Sequence, residues 1–138
     1  MCEEAREIQQ EHNIPTEGDW FVDGGLIEIF TERDSDDLGE IEYRRKYSLW
    51  LPRQDQLQEI VKDKVRDNQK TTHAYIRGSN PEGFINACLL TDFYSWQERT
   101  DCLSLFFTSM EQLWLAFAMW EKFQKIWDDE KEEWVKET

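Results

Sequence analysis

The stretch Ser109–Trp127, SMEQLWLAFAMWEKFQKIW, is the longest strongly apolar segment of the chain and holds three of its seven tryptophans. Ser109 with Gln112 three residues on matches a helical capping box, in which each side chain satisfies a backbone N–H of the first turn. Leu113, Phe117, Trp120 and Trp127 fall on one helical stripe, and Leu115, Ala118 and Met119 make it wider than a surface helix needs. The stretch therefore reads as a long helix, covered on most sides between Leu113 and Trp120. It is the centre on which a largely polar, acidic chain folds. Beyond it, DDEKEEWVKET reads as a solvated acidic end with Trp134 and Val135 as a last anchor.

Working back from that helix, Leu103–Phe107 reads as a short strand. Residues 84–97 (FINACLLTDFYSWQ) fit either a strand or a buried helix, because periodicity does not separate the two in a short apolar run. Gly78–Gly83 reads as a surface loop and Thr71–Arg77 as a strand. Leu57, Ile60, Val61 and Val65 make a narrow apolar stripe on a helix that follows Pro52 and runs to about Asp67. Upstream, Trp20–Val22 and Leu26–Phe30 are β-rich and flank Asp23-Gly24-Gly25, a hairpin signal. Ile27 and Ile29 alternate with Leu26, Glu28 and Phe30, so one face of that strand is expected to be buried. Glu32–Glu40 reads as a charged loop. Glu40–Leu49 reads as another strand, with Ile41, Tyr43, Arg45 and Tyr47 on one face. Residues 3–12 suit a short helix with glutamates in its first turn, stopped between Asn13 and Pro15.

These elements define an α+β fold in one domain: an antiparallel sheet of about four or five strands, packed against the long C-terminal helix and one or two shorter ones. A chain of 138 residues buries enough surface to fold without disulfides or metal. Cys2, Cys88 and Cys102 are odd in number and widely spaced, which suits reduced thiols in a cytosolic protein. The acidic N-terminus is not a signal peptide, and no apolar run reaches the roughly 18 residues of a membrane span.

Charge narrows the function. Thirty acids against sixteen bases give a net charge of −14, which repels nucleic acid and anionic membranes and favours a basic protein partner. Residues 1–42 carry −12, residues 43–99 carry +3 and residues 100–138 carry −5. Glu32, Asp34, Asp36, Asp37, Glu40 and Glu42 are the densest acidic run, and Asp128, Asp129 and Glu130 form a second. On an extended strand, same-face carboxylates stand about 6–7 Å apart, a spacing that resembles a row of phosphates. A solvated surface accounts for such runs equally simply. Core packing accounts for most of the tryptophans, and Trp134, set among charges, is the one best placed to anchor a protein interface.

Signals for catalysis are weak. His12 ends the first helix and His73 sits in a strand-like run, neither at ligand spacing from a second donor. Asp34-x-Asp36-x-x-Gly39 begins like a calcium loop, but Leu38 and Arg45 stand where the loop needs an oxygen donor and a glutamate. No glycine-rich phosphate loop or nucleophile elbow is present, and no cofactor is indicated.

Two stretches carry a resemblance. Trp50–Glu59 (WLPRQDQLQE) and Ser109–Trp127 resemble segments of small uncharacterised proteins from phages and prophages of Gram-positive bacteria. The resemblance covers about a quarter of the chain and implies a mobile-element origin and a bacterial cytoplasm, with no site residues. Taken with the charge, it leads to the expectation of a small acidic, non-enzymatic inhibitor of host defence. Such a protein, like an anti-CRISPR protein, would occupy the basic nucleic-acid groove of a host protein such as a CRISPR effector. The alternatives are an accessory phage protein that self-associates, for instance as a homodimer, through the aromatic C-terminal helix, and a Mg²⁺-dependent carboxylate enzyme.

Overall fold

A computed structural model describes residues 1–12, 14–72, 78–100 and 107–137. The fold is α+β. It comprises, among the described residues, a three-stranded antiparallel sheet, a separate two-stranded hairpin and six helices. The chain divides into two compact units. One is Met1–Arg53 with Trp127–Val135, and the other is Gln54–Ile126 with Lys136–Thr138. The strands lie in two sheets where one of about four or five strands was expected, and among the described residues only the readings Trp20–Val22 and Leu26–Phe30 coincide with strands.

The first unit begins with helix α1, Arg6–Glu11. Strands β1 (Trp20–Asp23) and β2 (Leu26–Ile29) form the expected hairpin, in register Trp20 to Ile29 and Asp23 to Leu26. Gly24 and Gly25 both take positive φ, +56° and +85°. Two such residues in a two-residue loop make the turn whose twist matches paired strands, and glycine meets it without Cβ strain. Strand β3, Leu49–Leu51, adds to the other side of β1, so the sheet order is β2-β1-β3. Phe21 pairs with both Glu28 and Trp50, which puts these three on one face. Phe21 and Trp50 are buried there. The opposite face carries Ile27 and Ile29, and both are exposed. The burial expected of alternation in β2 is therefore met by Phe30 alone at its end.

Between β2 and β3 the structure replaces an expected loop and strand with two helices, α2 (Glu32–Ser35) and α3 (Leu38–Tyr47). The cause is local capping. Asp34 accepts hydrogen bonds from the Thr31 N–H (2.7 Å) and hydroxyl (2.8 Å), and Asp37 accepts from the N–H groups of Gly39 (2.9 Å) and Glu40 (3.3 Å). Glu40 then pairs with Arg44 one turn on (2.7 Å), and Arg44, Arg45 and Lys46 occupy the last turn, where the helix dipole favours cations. Only Arg44 of this helix is buried, so no apolar stripe marks it in the sequence. The alternation of Ile41, Tyr43, Arg45 and Tyr47 belongs to helix positions, with the Tyr43 and Tyr47 rings one turn apart, 5.4 Å between centres and tilted by 45°.

The second unit is helical. Helix α4 spans Gln54–Gln69 and buries Leu57, Val61 and Val65, as its stripe requires. Residues 84–97 resolve as helix. They lie within α5, Pro81–Arg99, capped by Asn80, which accepts from the Gly83 N–H (2.9 Å). Ile85, Leu89, Phe93 and Trp96 form its buried face. Helix α6, Met110–Phe123, starts as read: Ser109 Oγ accepts from the Gln112 N–H (3.2 Å), while Gln112 Oε1 accepts from Thr108. All seven residues from Leu113 to Met119 are buried. Helix α4 packs against both α5 and α6. Phe117 is the hub of the core, with its ring 5.2–5.7 Å from those of Phe93, Trp96 and Trp114.

Helix α6 is shorter than the sequence suggests. Gln124 takes left-handed backbone (φ 56°) and ends it, and Lys125–Asp128 continues as strand β4, paired with β5, Glu133–Lys136. Trp127 therefore lies on a strand, off the helical stripe. The division between the two units falls within this hairpin. The strand readings at residues 73–77 and 103–106 lie outside the described residues.

Candidate functional site

Folding segregates the charge further than the sequence does. Met1–Arg53 with Trp127–Val135 holds nineteen acids and seven bases, net −12, and the other unit holds eleven and nine, net −2. Both expected acidic runs belong to the first unit.

Within those runs the carboxylates have different tasks. Asp34 and Asp37 cap helices, and Glu40 is paired with Arg44. The Thr31 backbone and hydroxyl bonds hold the Asp34 carboxyl below the usual carboxylate range. Glu32, Asp36 and Glu42 are exposed, and their side chains make no hydrogen bond or ion pair among the described residues. Because the run is helical, the regular two-residue spacing of a strand, and with it the likeness to a phosphate row, is absent. In the second run, Asp128 holds the hairpin turn. It accepts from the N–H groups of Glu130 and Lys131 (both 3.1 Å) and from Lys131 Nζ (2.8 Å), and these lower its pKa, the Lys131 side chain most. Asp129 accepts a long bond from Trp127 Nε1 (3.4 Å), and Glu130 is exposed. Trp134 is not an exposed anchor. It is 7% exposed, meets Trp127 edge-on at 5.2 Å and donates from Nε1 to the Met1 carbonyl (3.1 Å).

A feature the sequence did not reveal lies beside the three-stranded sheet. A cleft of about 410 Å³ is walled by the last turn of α3, by β3 and by part of α1. Arg44 lies with its guanidinium 6.0 Å from the Phe21 ring centre. It donates from Nε to Glu40 and from Nη2 to Glu28. Burial works against its charge, but the two carboxylates outweigh burial and push its pKa up. Trp50 is clamped by Gln9, whose amide accepts from the Trp50 N–H (3.0 Å) and donates to its carbonyl (2.9 Å). The His12 ring stacks on Trp50 at 4.0 Å, and its Nε2 lies 2.5 Å from the buried Asp19 carboxylate. Arg44, Ser48 and Trp50 are among the lining residues, and Arg44 Nη1, Ser48 Oγ and Trp50 Nε1 are buried without a hydrogen-bond partner, as are the Trp96 and Trp114 indole nitrogens elsewhere in the fold. Ser48 is thus not bonded to His12. The only signal in the sequence was the run Tyr43–Arg53, with four bases and no acid inside an acidic region.

Among the described residues no group of three or more His, Cys, Asp or Glu side chains is placed to hold a metal ion, and no helix is long and apolar enough to cross a membrane. Cys2 and Cys88 are free thiols, their pKa values raised chiefly by burial. No family model matches the chain, and neither a curated protein nor a solved structure matches it significantly.

Proposed function

We propose that this chain is a small acidic inhibitor of the phage type, acting in a bacterial host by binding a nucleic-acid-handling protein at its basic groove, as an anti-CRISPR protein does. The observation that carries the reading is the concentration of twelve of the fourteen net negative charges in one folding unit. Such a field speeds encounter with a basic surface and orients the approach, and it repels nucleic acid itself. Glu32, Asp36 and Glu42 are the contact residues of choice in the first run, because their carboxylates are not engaged in holding the fold. Asp129 and Glu130 supply the second.

The test is a pull-down from a bacterial lysate treated with DNase, followed by competition. The reading expects a retained nucleic-acid-binding protein that is released by duplex DNA or by about 0.5 M salt. It also expects retention to be lost in the triple variant Glu32→Lys, Asp36→Lys, Glu42→Lys with an unchanged circular dichroism spectrum. Retention that survives both the triple reversal and DNA competition defeats it. Self-association is the second reading. The apolar face of α6 is buried, whereas Leu26, Ile27 and Ile29 of the edge strand β2 are exposed, so that strand is its natural surface. A dimer by light scattering that Ile27→Lys dissolves would favour it.

A further inference from the structure

We infer that the open edge of strand β2 takes up an extended segment of a partner protein in which apolar and basic residues alternate. The register puts Trp20, Ile29 and Leu51 in one row across the sheet and Val22, Ile27 and Leu49 in the next, all on the face opposite Phe21. Every paired position on that face is thus apolar. Trp20, Ile27 and Ile29 are 42%, 61% and 51% exposed, and the other three are half-buried. A contiguous exposed apolar face of this kind marks an interaction surface.

The two edges of the sheet differ. On β3, Gln9 occupies both outward backbone groups of Trp50, accepting from its N–H (3.0 Å) and donating to its carbonyl (2.9 Å). At the end of β2, the Phe30 N–H donates to the Asp19 carbonyl just ahead of β1 (2.8 Å). Alternation along the strand then turns the backbone groups of Glu28 toward β1 and those of Ile27 and Ile29 outward. No strand among the described residues pairs with that outer edge. An added strand completes the ladder, and its side chains join the two sheet faces in turn.

Charge fixes the occupant. Residues of the added strand beside Ile27 and Ile29 meet apolar side chains. The alternate residues lie on the face of Glu28, where Arg44 ties α3 to the sheet. Residues 32–42, which lead from β2 into α3, hold six acids and one base, net −5. Basic residues at the alternate positions gain from that field. A second copy does not, because pairing β2 with itself about a twofold axis sets two such acidic stretches side by side. Only the basic character of the partner rests on the proposed function.

The test titrates the full chain at low salt with capped eight-residue peptides of alternating Lys-Val, Lys-Ser or Glu-Val, while NMR follows the backbone amides of Ile27 and Ile29. The Lys-Val peptide is expected to bind saturably with a Kd below about 100 μM and to protect both amides from solvent exchange. The Lys-Ser and Glu-Val peptides should bind at least about tenfold more weakly. Ile27→Thr combined with Ile29→Thr keeps β-branched residues at exposed positions, and should weaken the Lys-Val peptide at least about tenfold with an unchanged circular dichroism spectrum. The inference is overturned if the Lys-Ser peptide binds as tightly, if neither amide gains protection, or if the double variant binds normally. A dimer by light scattering that the double variant dissolves also overturns it, since a second copy then fills the edge. The proposed function fails separately: peptide binding by a chain that retains no nucleic-acid-binding protein from lysate defeats that reading and leaves this one standing.

Discussion

At the scale of single residues, composition is a poor guide to what a carboxylate does. Asp36 and Asp37 are neighbours with the same chemistry, yet Asp37 caps α3 and the Asp36 side chain makes no hydrogen bond or ion pair among the described residues. Asp37→Ala should destabilise the fold by about 1 kcal/mol, and Asp36→Ala by less than about 0.5 kcal/mol, measured by urea unfolding. Equal effects would mean that the cap does not set the stability of this segment. Asp34 makes a pH prediction. Its pKa is lowered in the folded state, so it stabilises above the unfolded carboxylate value of about 3.9, and that contribution is lost as pH falls through the lower folded value. Wild type should therefore lose more stability than Asp34→Asn between about pH 5 and pH 2. Parallel loss in the two proteins would remove Asp34 from acid denaturation.

Among secondary-structure elements, α6 owes its place to burial. Its Phe117 is fully buried among Phe93, Trp96, Trp114 and Trp120, and it has no polar atom to compensate elsewhere. Phe117→Ala should cost about 3–5 kcal/mol in chemical denaturation, from lost burial and the cavity left behind. A cost below about 1 kcal/mol would show that the aromatic cluster collapses freely around the gap. The stripes of α4 and α6 and the hairpin β1–β2 were legible because apolar spacing or a turn dipeptide encodes each. Helix α3 was not, since it presents only the Arg44 side chain to the interior and its alternating residues imitate a strand. Residues 84–97 were ambiguous by pattern, and the Asn80 cap with Pro81 in the first turn marks their helix at its start.

For the whole molecule, the net charge of the first unit acts on stability and on recognition in opposite senses. Self-repulsion among its nineteen acids weakens the native state, and salt screens it over a Debye length of about 8 Å at 0.15 M. The thermal midpoint should rise between about 20 mM and 0.5 M NaCl, whereas binding to a basic partner should weaken over the same range. A midpoint that falls with salt would mean that ion pairs such as Arg44–Glu28 outweigh the repulsion.

The sequence by itself determined the fold class, the start and the buried face of α6, the hairpin turn and the acidity. Each depends on residues close in the chain, through periodicity, capping or a glycine pair. It did not determine where α6 stops, since a left-handed Gln124 has no residue signature of the kind glycine gives. Nor did it show that Trp134 is buried against Trp127 and bonded to Met1, a contact across 133 positions. The cleft beside β3 is of the same kind. Gln9, Phe21, Arg44 and Trp50 come together through strand pairing and a side-chain clamp spanning 41 positions. Only tertiary structure decides which donors end buried without a partner, because burial and pairing are properties of the packed chain.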